Sequence, residues 1–236
     1  MNEMNSNEKI AWSHWLNCNR DEFSGTNVHR NPSLNETNQI IFLVSKTGFN
    51  IAIPAINAEM IDKKLRQLKG NPLPSIVDVI NLVKEETKFV SYILYQACLG
   101  SEFQQQENAP EVIHLDSEKM EKLAALKQAC STLEWDHSSL NPDSKNTFGI
   151  FVKNKLVAAA HYLIFPGKLA SIGVLTHPEY RFHGYAQKAA LSAINHAIAN
   201  GYEPHYQTII ENFPAIGLSR KLGFSQFGYS CRIGLK

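Results

Sequence analysis

The sequence of 236 residues has no apolar run approaching the ~20 residues of a membrane-spanning helix. Its beginning, MNEMNSNEKIAW, has neither a basic segment nor an apolar core, so no signal peptide is expected. Cysteine is scarce: Cys18, Cys98, Cys130 and Cys231 are far apart and form no CxxC or zinc-finger spacing. That excludes a disulfide framework and points to reduced thiols. The nine histidines show no metal-ligand spacing either, and no metal is expected. Charge of one sign is also lacking, because 23 Lys plus Arg face 22 Asp plus Glu for a formal net charge of +1. This balance favours neither nucleic acid nor an anionic membrane as partner. P-loop, Gly-x-Gly-x-x-Gly, Gly-x-Ser-x-Gly and His-Glu-x-x-His motifs are absent, as are repeats and low-complexity tracts. The expectation is a soluble, cytoplasmic protein.

What is present suffices for a buried core: 44% hydrophobic and 10% aromatic residues lie in the ordinary globular range. Residues 1 to about 38 are polar, with little periodicity, although Trp12, Trp15 and Leu16 suggest some packing. NQIIFLVS and FNIAIP read as strands joined by a Lys46-Thr47-Gly48 turn, with Gly48 supplying a permissive backbone. Residues 58–69 place Ile61, Leu65 and Leu68 on one helical face and stop at Gly70 before Pro72. Ser75 and Asp78 have capping-box spacing for a helix carrying Ile76, Val79, Ile80 and Val83. FVSYILYQACLG reads as one strand. The resulting ββααβ unit, residues 1–108, ends in a linker-like GSEFQQQENAP.

The second part, residues 109–236, opens with the helix SEKMEKLAALKQACS, whose apolar side carries Met120, Leu123, Ala124 and Leu126. TLEWDHSSLNPDS follows as a loop or short helix. TFGIFV and LVAAAHYLIF form a hairpin about Lys153 and Asn154, and LASIGVLT is the next strand. Then come a long helix, the strand HYQTIIEN, the short helix PAIGLSRKL and the final strand FGYSCRIGL. The order is αβββαβαβ, a mixed α/β domain.

The most informative stretch is HPEYRFHGYAQKAALSAINHAIANG, residues 177–201. Its helix carries an apolar stripe of small residues, Ala186, Ala189, Ala190, Ala193, Ile194, Ala197 and Ile198, and stops at Gly201. Gly184 permits close backbone approach at the helix start, where N–H groups lack partners and the dipole favours an anion. Arg181, His183 and Lys188 add polar or cationic side chains. The combination suits a pyrophosphate; the plainer reading is a turn that begins a helix.

VLTHPEYRFHGYA, with Arg181-x-x-Gly184-x-Ala186 directly after a strand, resembles the cofactor-binding motif of the GNAT superfamily of N-acetyltransferases. ENFPAIGLSRKLGF resembles that family's following segment, an Asn opening a short helix that closes on Leu-Gly-Phe. The resemblance covers residues 109–236. It implies a GNAT-like acyl-CoA-binding fold with a smaller N-terminal ββααβ domain, which could be a degenerate copy of half the same fold. It also implies acetyl-CoA, or another short acyl-CoA, as cosubstrate. Family members splay two parallel strands and insert the cofactor between them: its pantetheine would lie along Val174, Leu175 and Thr176, and its pyrophosphate on main-chain N–H groups of Phe182, His183, Gly184, Tyr185, Ala186 and Gln187 beside Arg181, with Asn212 contacting the pantetheine arm or fixing the splay.

The implied reaction is acyl transfer to an amine by direct attack within a ternary complex. Where many members of the family carry a tyrosine acid, this sequence has Ser219, so a water, Tyr229 or Tyr185 could serve instead. The strand LASIGVLT lacks the acidic residue some members use as base, leaving Glu211, Glu134, Asp136 and His161 as candidates. Trp135 fits an acceptor pocket or plain packing. The expected partner is a small-molecule or peptide amine, with no nucleic acid and no membrane. The alternative is a noncatalytic acyl-CoA sensor or regulatory module, and a third reading is an interaction protein with no ligand.

Overall fold

Polar segments with few apolar residues still form regular structure at the N-terminus. In the computed structural model, which describes residues 1–65 and 75–236 apart from the side chains of 117–120, Ser6–Leu16 is a helix, α1. Asn5 caps it by accepting from the Glu8 N–H at 2.8 Å, and Asn17 ends it in the left-handed region at φ 57°. Ala11, Trp12 and Leu16 are the apolar residues it buries, too few to show a helical period in the sequence. Gly25–Asn31 forms β1, polar apart from Gly25 and Val28 yet extended, because parallel pairing with Gly48–Pro54 satisfies its backbone. Neither element was legible in the weak periodicity of this polar segment.

The hairpin of Gln39–Ser45 (β2) and Gly48–Pro54 (β3) forms as expected. Gly48 has a different role from the one expected, since its φ is not positive. A Cβ there would lie 2.0 Å from the Phe23 carbonyl oxygen, so close backbone approach demands the glycine. Ala58–Leu65 is α2; the expected continuation through Leu68 to Gly70 and Pro72 lies outside the described residues, as does the Met120 side chain. Ile76–Leu82 is α3, with the Ser75/Asp78 capping box present. The single strand expected at 89–100 is two, Thr87–Val90 (β4) and Leu94–Leu99 (β5). Ser91 separates them: its N–H donates to the Arg232 carbonyl at 2.8 Å and its hydroxyl accepts from the Arg232 N–H at 2.9 Å.

Next come Val112–His114 (β6), which the sequence did not suggest, then Ser117–Ala129 (α4) and Thr132–Ser138 (α5). Thr147–Val152 (β7) and Lys155–Phe165 (β8) turn about Lys153 and Asn154, both left-handed at φ 48° and 63°, the signature of a two-residue primed turn. Leu169–Thr176 (β9), Tyr185–Ala199 (α6), Glu203–Ile209 (β10), Phe213–Lys221 (α7) and Phe224–Leu235 (β11) complete the chain. Among the described residues, no helix is long and apolar enough to cross a membrane.

The chain divides into two compact units. The first comprises Met1–Cys98, Ile209–Asn212 and Gln226–Lys236. Its strands run β1-β3-β2-β11-β5, with β4 also on β11. Ile40 and Phe42 pack with α2 and α3, while Ile41 and Leu43 pack with Trp12 and Leu16 of α1. Covering both faces explains the unbroken apolar run of β2.

The second unit comprises Leu99–Thr208 and Phe213–Ser225, with strand order β10-β9-β8-β7-β6. Ala159 and Leu175 join Leu123, Leu126 and Trp135 from α4 and α5 on one face. On the other, the Tyr162 hydroxyl lies 2.9 Å from His196 Nδ1 of α6.

Candidate functional site

Strand β9 is fully paired on one side and only briefly on the other. Antiparallel pairing with β8 runs from Leu169 opposite Phe165 to Thr176 opposite Ala158. Parallel pairing with β10 covers three residues, Leu169, Ala170 and Ser171 opposite Glu203, Pro204 and His205. Both strands continue past the last pair, so they part, and among the described residues one edge of β9 over 172–176 has no strand partner. Pro204 has no N–H to add to the ladder.

The loop over residues 177–184 follows directly. His177 Nδ1 accepts from the Glu179 N–H at 3.3 Å, and the Tyr180 N–H donates to the His177 carbonyl at 2.9 Å, which folds Pro178–Tyr180 into a short 3-10 turn. Phe182 and Gly184 are both left-handed, φ 64° and 78°. The Phe182 side chain is entirely in solvent. His183 Nδ1 lies 2.7 Å from the Arg181 carbonyl, which places its proton on Nδ1, and its ring stacks on Tyr185.

The first bond of the 15-residue helix α6 is Lys188 N–H to the Gly184 carbonyl at 3.1 Å. The N–H groups of Tyr185, Ala186 and Gln187 therefore have no intrahelical acceptor, and the N-cap residue, Gly184, has no side chain to cap them. A Cβ added at Gly184 would meet no heavy atom within 4 Å, so the helix start is open. An uncapped start carrying about half a positive charge is an anion site in form. A cleft of about 210 Å³ lies beside it, lined by Gln187 and Leu191 of α6 and by Lys221, Leu222 and Gly223 after α7.

Arg181 is committed to the protein. Its Nη2 donates to Glu134 Oε1 at 2.6 Å and its Nε to the Thr176 carbonyl at 3.4 Å, tying the loop to α5 and to the end of β9. Lys188 is likewise held, at 2.5 Å, by Glu111. Partial burial works against ionisation of Glu134, but the Ser131 N–H and hydroxyl and Arg181 outweigh it and lower its pKa. A carboxylate so occupied is a poor proton acceptor. Neither ion pair was foreseen, although the Ser131-x-x-Glu134 capping box was there to be read.

The other candidates divide plainly. Leu175 points into the cluster with Trp135, so it offers main chain only, and Trp135 is core packing. Gly173 is under pressure from α5: a Cβ would lie 2.0 Å from the Ser138 carbonyl oxygen and 2.7 Å from His161 Nε2. No acidic side chain fits at that point of the strand. His161 is fully buried, and burial pushes it down to about 4, with the Ser138 carbonyl opposing. The Ser138 oxygen is near enough to be felt, but neither ring nitrogen has a well-formed hydrogen bond. Asp136 is exposed.

Ser219 is fully buried and its hydroxyl donates to the Ile216 carbonyl at 2.9 Å within α7. Ser219 and residues 174–176 and 181–187 belong to the second unit, whereas Glu211, Asn212 and Tyr229 belong to the first. Asn212 donates its N–H to the Ile209 carbonyl at 3.0 Å, and Tyr229 sits opposite Val44 in the β11–β2 ladder.

A family model described as GNAT acetyltransferase matches residues 35–229. Several solved structures are similar to the chain, and the first named agrees in fold. An acetyltransferase from the GNAT family of Colwellia psychrerythraea is 16% identical, with a TM-score of 0.55 over 77% of this chain and 73% of its own. A GNAT-family protein from Novosphingobium aromaticivorans DSM 12444 is 22% identical, with a TM-score of 0.49 over 64% of this chain and 67% of its own. A GCN5-related N-acetyltransferase-like protein from Streptococcus suis 89/1591 is 15% identical, with a TM-score of 0.48 over 83% of each chain. No curated protein matches the chain.

Proposed function

The chain belongs to the GNAT acetyltransferase family, and from that premise we propose that it transfers an acetyl or other short acyl group from CoA to an amine by direct attack. The observation that carries this reading is the early end of β9–β10 pairing beside the open, uncapped start of α6. An extended arm fits along the free edge of β9 and a pyrophosphate fits the N–H groups of residues 185–187. Main-chain N–H groups at the free edge suit a thioester carbonyl as it gains negative charge.

In the reaction, the amine nitrogen forms a bond to the carbonyl carbon, the carbon–sulfur bond breaks, and the thiolate takes a proton released by the nitrogen. His161 is buried, and Ser219 is bonded inward, so neither suits the proton's path. Positioning therefore carries most of the acceleration, a contribution that reaches about 7–11 kcal/mol in favourable systems.

Calorimetric titration with acetyl-CoA and with CoA tests the site, using wild type and Gly184→Glu. The substitution adds bulk and negative charge in open space but at a left-handed residue, where a side chain costs about 1–2 kcal/mol of backbone strain, so a thermal melt establishes that the mutant is folded before loss of binding is read. Wild-type protein that binds neither molecule would remove the reading. A noncatalytic acyl-CoA-binding regulatory role is favoured by two features, the occupied Ser219 hydroxyl and the absence of room for an acid at Gly173. Tight CoA binding without turnover across a panel of amino acids, polyamines and peptides would support it.

A further inference from the structure

Outside this site, in the first unit, one ligand atom each from Cys18, Glu22 and His29 lies within 4.8 Å of the other two. The convergence is built by the local fold. Asn17 ends α1 and its Nδ2 donates to the Arg30 carbonyl at 2.8 Å, which ties the helix end to β1 beside His29. Glu22 is aimed by Asn19, whose N–H and Nδ2 bond its two carboxylate oxygens at 3.2 and 3.1 Å.

His29 Nε2 lies 3.3 Å from Asn50 Oδ1. Asn50 is fully buried; its Nδ2 donates to the Phe23 carbonyl at 3.4 Å and its Oδ1 accepts from Asn27 Nδ2 at 3.2 Å. That orientation makes Oδ1 an acceptor, so His29 carries its proton on Nε2 and presents a lone pair at Nδ1. An imidazole oriented through its second nitrogen is the arrangement found around metal-ligating histidines.

We propose that Cys18, Glu22 and His29 form a zinc-class divalent cation site that joins the end of α1 to β1, with water in the fourth position. A thiolate, an imidazole and a carboxylate are the donor types of zinc sites and exclude magnesium and calcium, which take oxygen ligands. Ligand bonds of about 2.0–2.3 Å place donors roughly 3–4 Å apart, somewhat closer than the 4.8 Å within which the three atoms lie. Burial, then the Glu22 charge, pushes the Cys18 thiol up to about 11, so binding releases its proton. The Cys-x-x-x-Glu-x-x-x-x-x-x-His spacing matches no standard signature, and only the return of β1 beside α1 brings the three together.

The test is titration of the full chain, freed of metal by chelation, with cobalt(II) as the spectroscopic stand-in for zinc. Expected are one cobalt per chain, a sulfur-to-cobalt charge-transfer absorption, and its displacement by zinc. Cys18→Ser abolishes the absorption, Cys130→Ser keeps it, and Glu22→Gln and His29→Gln weaken binding by about tenfold or more. Because Cys18→Ser could unfold, alkylation of Cys18 in wild type is followed by mass spectrometry with and without zinc. Absence of cobalt binding by wild type, a charge-transfer band surviving in Cys18→Ser, or alkylation of Cys18 unaffected by zinc would each overturn the proposal.

Discussion

His161 shows how one side chain can set a pH limit without taking part in chemistry. Burial holds it neutral down to about 4, whereas an unfolded histidine titrates near the ordinary value of 6.5. Between those values the unfolded chain binds a proton that the folded chain does not, so stability rises with pH across that window and is lost on acidification. Full protonation of the unfolded state removes roughly 3 kcal/mol. Chemical denaturation from pH 7 to pH 4 should show this slope, and His161→Gln should flatten it; an unchanged slope would place the acid sensitivity elsewhere. Ser219 makes the opposite case, a polar group whose bond is made inside its own helix. Ser219→Ala should cost about 1 kcal/mol of stability. It should leave kcat and its pH profile for any amine substrate within a factor of about two, because buried inward bonding gives no route to the leaving group. A kcat that collapses with intact stability would make Ser219 the acid after all.

At the level of elements, local signals were legible and distant ones were not. The β2–β3 hairpin, the Ser75/Asp78 box and the α6 stop all follow from neighbouring residues; at the stop, Gly201 is left-handed and the Tyr202 N–H returns to the Ala197 carbonyl at 3.0 Å. So does the helix start at Gly184, since the first N–H groups of any helix lack intrahelical acceptors. Strand β1 was illegible because its polar residues gain an extended partner only from β3, and α1 because its buried residues are so few. The parting of β9 and β10 was inferred through family resemblance, as no pattern within either strand announces where their pairing ends. The reason for Gly173 was hidden as well, for it lies in the approach of the Ser138 carbonyl. Another tertiary link yields a prediction. Glu134→Gln keeps much of the capping box but removes the ion pair to Arg181, a half-exposed contact worth about 1 kcal/mol or less. With the loop released from α5, the calorimetric Kd for acetyl-CoA should rise by about three- to tenfold, with a melting temperature close to wild type. A tighter Kd would mean that Arg181 is held back from the ligand and freed by the change.

On the scale of the whole molecule, the path of the chain matters more than any single contact. The first unit is assembled from three separate segments, and β11 pairs with β2 so that Gly228 faces Ser45. Cys231 and Ile233 of β11 pack in the same cluster as Ile40 and Phe42 of β2. A chain stopped after residue 225 should therefore leave the first unit with an unpaired apolar strand edge and aggregate, while the full chain stays dispersed in sedimentation. A dispersed, protease-resistant product would show that the first unit folds without β11. The same pairing sets a schedule for biosynthesis. At the usual pace of ribosomes, the roughly 180 residues between the two partners take about 10–40 s to emerge. Throughout that interval the first strands wait unclosed, with the apolar side chains that β11 will cover still exposed to other chains.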